Sequence, residues 1–257
     1  MSQSAPGADA SNAPDEGAHV AVVTGGARRV GAALVEGLAR DGYQVVLHHG
    51  HSPDAAAQVA MRIQQQYRAR VTIVQADLAQ PEGASQVIDH AMQHFGRVDV
   101  VVSSASLMRA MPFDAVTVAA WDETANVNLR APFFLLQAAA RVLTEGGVFI
   151  QIADHLAHET AFPQLMAHAV TKAGLEQLVR AGADLLAPRC RMNAVAPGLV
   201  LPPDDMSPAT LERFLRDVPL GRIGSPDDVV DAVRYLIRAA YVTGTILTVD
   251  GGRHLRR

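Results

Sequence analysis

Three residue types with proton chemistry fall close together in the second half of the chain. His168 and Lys172 stand four apart in "HAVTK" (168–172), so on a helix they share one face, and Asp154 closes the preceding apolar run "GVFIQIAD" (147–154). Free imidazole titrates at about pH 6.5. A lysine one turn away disfavours its charged form, whereas a carboxylate within reach favours it. An Asp154–His168 pair would therefore hold an imidazolium, a usable general acid. Asp154 also heads "DHLAHE" (154–159), and with His155 and His158 the residue types alone admit a metal site. Nothing in the sequence fixes their directions, clustered loop histidines are ordinarily just solvated, and no metal is expected.

A second group lies near the start. "VVTGGARRVG" (22–31) reads as strand, glycine-rich turn and helix start, the local geometry that seats a pyrophosphate on a helix N-terminus. Gly25 and Gly31 fill the outer positions of the pattern, Arg28, Arg29 and Val30 lie between them, and Arg29 stands where a bare glycine backbone normally meets phosphate. A guanidinium can pair with phosphate directly. The next strand ends "LHHGHSPDA" (47–55), with no acid before Asp54. An acid there would hold a ribose 2′-hydroxyl, so its absence, with His51, Ser52 and the two arginines at hand, favours NADP(H) over NAD(H). Asp77, closing "VTIVQAD" (71–77), fits an adenine contact, and a helix N-cap explains it equally well.

The elements that must position these groups alternate. Apolar β-rich runs at 19–24, 44–49, 71–77, 98–106, 147–154, 191–198 and 245–252 are separated by helical patterns at 30–42, 53–68, 81–95, 122–143, 164–187 and 226–238. About seven strands with intervening helices imply an α/β, three-layer Rossmann fold, a doubly wound and mostly parallel sheet. No linker composition interrupts 19–257, which reads as a single domain. Residues 1–18 are small, polar and acidic, the composition of a disordered tail. The segment 199–224, with its prolines, acids and short helical pattern, reads as a substrate lid.

The 257 residues carry a net charge of −4, which offers no footprint for nucleic acid. No apolar run has the roughly 18–20 residues that span a bilayer, and no signal peptide is evident. The sole cysteine, Cys190, excludes an internal disulfide. A cytoplasmic protein acting on a small molecule is expected, without nucleic-acid or membrane partners.

The ordered set "TGGARRVG", "ADL" (76–78), "SSAS" (103–106), "NVNL" (126–129), "HAVTK", "NAVAPG" (193–198) and "VDGG" (249–252) resembles the short-chain dehydrogenase/reductase family over nearly all of 19–254. Within it the chain is most similar to the pteridine reductases and bacterial dihydromonapterin reductases. The resemblance implies an NADPH-dependent reductase of a pteridine-like substrate. It gives Asn128 a proton-relaying water, gives Lys172 the nicotinamide ribose, and sets Asp154 in the place of the usual serine. By the same resemblance Leu78, Ser104, Ala105, Pro197 and Gly198 line the cofactor, and Arg29, Met108, Asp154 and His168 face the substrate. Homotetramers are implied, in keeping with the apolar helices at 122–143 and 164–187.

The chain departs from the family pattern at four places. "SSAS" shortens a cofactor-loop side chain, and Met108 replaces an aromatic that stacks on pterin. The interval from Asp154 to His168 is one residue longer than usual, and His168 stands where the family has its catalytic tyrosine. None of the four tyrosines, Tyr43, Tyr67, Tyr235 and Tyr241, falls where it would substitute. Two alternatives follow: a generic carbonyl reductase, favoured by Met108, or a catalytically silent NADP(H)-binding protein. If His168 is the acid, turnover falls as pH rises through its titration.

Overall fold

A computed structural model describes residues 17–67, 69–159, 162–203 and 206–256, so the expected tail lies almost wholly outside the described residues. The β-branched runs form seven strands, β1 (Val20–Val23), β2 (Gln44–His49), β3 (Val71–Gln75), β4 (Val98–Ser103), β5 (Leu143–Ile152), β6 (Arg191–Pro197) and β7 (Ile246–Val249). They make one sheet in the order β3-β2-β1-β4-β5-β6-β7, with every neighbouring pair parallel. Parallel strands need crossovers, and the helices supply them on both faces. Helices α1 (Arg29–Arg40), α2 (Pro53–Tyr67) and α8 (Pro226–Arg238) pack on one side, through Leu34, Leu38, Val59, Ile63, Val229 and Val233. On the other lie α3 (Gly83–Phe95), α5 (Ala131–Val142) and α6 (Met166–Leu186), through Val87, Ile88, Leu135, Ala139, Val179 and Ala183. Alternation along β1 serves both cores, Val20 and Val22 facing one and Ala21 and Val23 the other.

β1 sits between β2 and β4, so the winding reverses there and opens a crevice at the strands' C-terminal ends. β3, β4 and β7 end two or three residues before the apolar text does, because the chain turns out of the sheet where that crevice begins. The expected helix at 122–143 differs most. Helix α4 (Val118–Ala125) starts earlier, capped by Thr117, whose hydroxyl accepts from the Ala120 N–H at 3.2 Å. A π-helical turn over Asn126–Arg130 then separates it from α5. Pro132, without an N–H, cannot donate back into the helix, and the loosened turn precedes it. The segment expected as a lid holds a short helix, α7 (Pro208–Arg216), capped by Ser207. No described helix is long and apolar enough to cross a membrane.

Candidate active site

The glycine-rich turn is tied on three sides. Thr24 Oγ1 accepts from the N–H groups of Ser104 and Ala105 at 2.9 and 3.1 Å, binding the turn after β1 to the loop after β4. Gly25 takes φ +67°, and a Cβ there would stand 2.8 Å from Ala105 Cα. Its N–H donates to His48 Nδ1 at 3.1 Å, while the opposite ring nitrogen of His48 donates to the Ala76 carbonyl at 3.0 Å. Only a neutral ring protonated at Nε2 meets both demands. Burial pushes His48 down to about 4, against the opposing pull of the Ala76 carbonyl. Sequence reasoning missed His48. The signal available was a pair of histidines, His48 and His49, closing a strand whose central residues are all apolar.

Helix α1 follows with its N-terminus open to a ligand. Arg28, at the cap position, makes no side-chain capping bond, and no acid lies in the first turn. Those N–H groups have no partner within the helix and carry the positive end of its dipole, so an anion fits there. Gly31 allows the close approach of helix to turn, since a Cβ would lie 2.0 Å from the Gly25 carbonyl oxygen. Arg29 holds φ +52°, an uncommon conformation for a side-chain-bearing residue, and donates to the Leu201 carbonyl at 2.6 Å. His51 is exposed and Ser52 half-buried at the end of β2, where the first acid, Asp54, belongs to the first turn of α2. Asp77 is exposed at the end of β3, but it does not cap α3, which begins at Gly83. Its carboxylate accepts from the Ala79 N–H and the Gln80 amide in a local turn, which holds it below the usual carboxylate range. Leu78 is buried beside it. An uncapped helix start with Arg28 and Arg29 beside it and no acid in its first turn suits a phosphorylated dinucleotide.

The proton-handling residues meet at the ends of β5 and β6. Asp154 caps the 3-10 turn His155–His158, with Oδ1 accepting from the Leu156 N–H at 2.9 Å. His168, on the first turns of α6, is only 3% exposed; its Nε2 lies 3.1 Å from Asp154 Oδ2 and its Nδ1 lies 2.9 Å from the Leu107 carbonyl. The extra residue between them has not separated the pair. Each ring nitrogen has an acceptor within hydrogen-bond distance, and Nδ1 also lies 3.3 Å from the Asn128 amide nitrogen. Burial raises Asp154, but hydrogen bonds from His155 and His168 outweigh it and hold the carboxyl well below its usual range. Lys172 is buried one turn further on, its ammonium donating to the Ile152 carbonyl at 3.1 Å. Desolvation pushes it down to about 8, partly countered by the charge of Asp154.

Asn128 is delivered by the π-helical turn. Its amide clamps the Leu107 peptide from both sides, accepting from the N–H at 2.7 Å and donating to the carbonyl at 2.8 Å. The same carbonyl receives His168, so Asn128 fixes one of the two acceptors on that ring. Met108, next in sequence, is 53% exposed. Pro197 is buried, and Gly198 passes so close to Asp250 that a Cβ would stand 2.8 Å from its Cα. His155 and His158, considered above as metal ligands, diverge: His155 turns to Asp154 and the Pro197 carbonyl, His158 to Glu176 on α6.

Known proteins are similar to this chain over nearly its whole length. A family profile described as "Enoyl-(Acyl carrier protein) reductase" matches residues 25–254. The granaticin polyketide synthase putative ketoacyl reductase 2 of Streptomyces violaceoruber is 33% identical over 96% of this chain and 99% of its own. Pteridine reductase 1 of Leishmania tarentolae is 32% identical over 93% of this chain and 98% of its own. A short-chain dehydrogenase from Burkholderia cenocepacia J2315, solved in complex with NADP, superposes with a TM-score of 0.87 at 32% identity, covering 91% of this chain and 97% of that one. A match to the family over nearly the whole sheet, on a fold with the same winding, makes the chain a member of the short-chain dehydrogenase/reductase family.

Proposed function

We propose that the protein is an NADPH-dependent reductase of a pteridine-like substrate, with the Asp154–His168 pair in place of the usual tyrosine. The 2′-phosphate of the cofactor falls to Arg28, Arg29, His51 and Ser52, its pyrophosphate to the start of α1, and the ribose next to nicotinamide to Lys172. Bound NADPH supplies the hydride. The residues of this chain supply the proton.

The observation that carries the reading is the placing of the pair. His168 is 3% exposed at its side chain and Asp154 20%, so the carboxylate is the more accessible member of the pair. A proton moved from Nε2 to Oδ2 leaves a neutral ring and a neutral acid, and that acid O–H donates to the substrate. Because Asp154 rests as a carboxylate, the transfer is favoured when the acceptor is itself basic. A C=N nitrogen meets that condition better than a ketone oxygen, and the kinship with pteridine reductase 1 points the same way. The exposed Met108 favours a second reading, a carbonyl reductase with a less selective pocket, which the named ketoacyl reductase relative supports equally.

Exposed apolar side chains on α5 (Phe133 and Phe134) and α6 (Met166 and Val170) support a further element of the proposal, assembly with copies of the same chain as a homotetramer.

Steady-state NADPH oxidation against dihydropterins, oxidised pterins and a panel of ketones decides between these readings. The proposal expects turnover of the pterins, lowered about 10²- to 10⁴-fold in His168→Ala with NADPH binding retained. Turnover of ketones alone supports the second reading. Failure of both the wild type and His168→Tyr on every substrate overturns both and leaves a silent cofactor-binding protein.

A further inference from the structure

Asp154 has a second histidine on its other oxygen, and that histidine leads away from the crevice to helix α7. His155 is buried, with Nδ1 lying 3.0 Å from Asp154 Oδ1 and 3.0 Å from the Pro197 carbonyl at the end of β6. Both are acceptors, so Nδ1 carries a proton. Its Nε2 is buried without a hydrogen-bond partner, 3.5 Å from Glu159 Oε1. Glu159 in turn receives two bonds from Arg253, Nε to Oε1 at 3.0 Å and Nη2 to Oε2 at 3.1 Å. Arg253 is 6% exposed, and its third nitrogen reaches the Phe214 carbonyl and Asp217, both at 3.4 Å. The guanidinium lies 4.1 Å from the centre of the Phe214 ring, and that ring meets His155 edge-on.

The result is a file of polar groups, His168, Asp154, His155, Glu159 and Arg253, whose last member reaches Phe214 on α7. We propose that His155, Glu159 and Arg253 are positioning residues, through which the docking of helix α7 fixes the Asp154 carboxylate against His168. The His168–Asp154 and Glu159–Arg253 links are charge-assisted hydrogen bonds between largely buried groups, where such bonds are strong and their loss is severe. The unpartnered Nε2 of His155 is the one gap, a short movement from closing on Glu159, and a buried donor left unpaired is costly. The charged and titratable groups around His155 are Asp154 and Glu159 on its own stretch, His168 and Lys172 on α6 acting through Asp154, Arg253, and Asp217, which follows α7, acting through Arg253. His158 points away, to Glu176. The two carboxylates offset the burial of His155 and hold it above the ordinary histidine range.

The inference rests on the reductase reading for its catalytic meaning, so its test uses measurements that need no turnover. Side-chain NMR titration of labelled histidines follows His168, hydrogen exchange follows residues 208–217, and NADPH fluorescence confirms an intact cofactor end. In His155→Gln and in Arg253→Lys, the expected result is exchange in α7 faster by about tenfold and a displaced His168 titration, with NADPH binding within twofold of wild type. If the protein turns over, kcat and its pH profile change in both variants while the KM for NADPH does not. Unchanged α7 exchange together with an unchanged His168 titration in both variants overturns the inference, even if the wild type is an active reductase. Should either variant fail to fold, Glu159→Gln, which keeps the shape and removes the charge, is held to the same two outcomes. A wild type inactive on all substrates but coupled in this way would reject the reductase reading and keep the coupling.

Discussion

Lys172 and His48 are two buried bases whose protonation the fold opposes, and each gives the protein a signature on the pH scale. Lys172 is held at about 8, so below that pH the folded protein carries a desolvated ammonium. The penalty is fully present at neutrality. It fades as pH rises from about 8 toward the unfolded value near 10.4, because the folded state gives up its proton first. Lys172→Met is therefore expected to melt several degrees above wild type at pH 7 without cofactor, and the gap to shrink by pH 10, in thermal melts at matched ionic strength. His48 behaves as a base kept neutral, at about 4. Its contribution is present above about pH 6.5 and is lost as pH falls through 4. Urea midpoints at pH 7 and 4.5 are expected to fall further for wild type than for His48→Leu, and that variant, without an acceptor for the Gly25 N–H, is expected to bind NADPH about tenfold more weakly. The family resemblance points to Asp154, His168 and Lys172 by position, and their spacing puts His168 and Lys172 on one helix face. Neither reveals His48 or Arg253, whose importance lies in partners 23 to 94 positions away.

Elements were legible wherever the hydrophobic period was unambiguous, as in all seven strands and in α1, α2, α6 and α8. The boundaries were not, because strands here end where the crevice opens rather than where apolar residues stop. The interruption between α4 and α5 depends on one proline and a loosened turn, a departure of a single residue that periodicity over two dozen positions averages away. That turn matters since it delivers Asn128 to the Leu107 peptide. The junction of the first turn with α1 is as tight, and Gly31→Ala is expected to destabilise by about 1–3 kcal/mol, the usual range for overpacking, and to abolish measurable NADPH binding. Thermal melts and NADPH fluorescence on one preparation check both halves of that statement. A variant that melts like wild type and still binds would show that the turn yields more readily than its contacts suggest.

At the scale of the whole molecule, the crevice gathers the turns after β1, β2, β3, β4, β5 and β6 at one edge of the sheet, and the outer faces of α5 and α6 are left for other uses. On the proposed assembly, Phe133→Glu is expected to shift the protein toward the 27.3 kDa chain in sedimentation velocity while leaving the fold intact. A wild type that already sediments as the single chain would overturn the assembly, and an assembled species unchanged by the substitution would take the contact off α5. The bond between Glu159 and Arg253 spans 94 residues and brings together parts of the chain made at different times. At ordinary rates of synthesis roughly 5 to 20 seconds pass between their emergence from the ribosome, and β6, α7, α8 and β7 are all made in that interval. β7 ends at Val249, only four residues before Arg253, so the last strand of the sheet and the proposed anchor of Asp154 leave the ribosome within about a second of each other, and the site is among the last parts of each molecule to be completed.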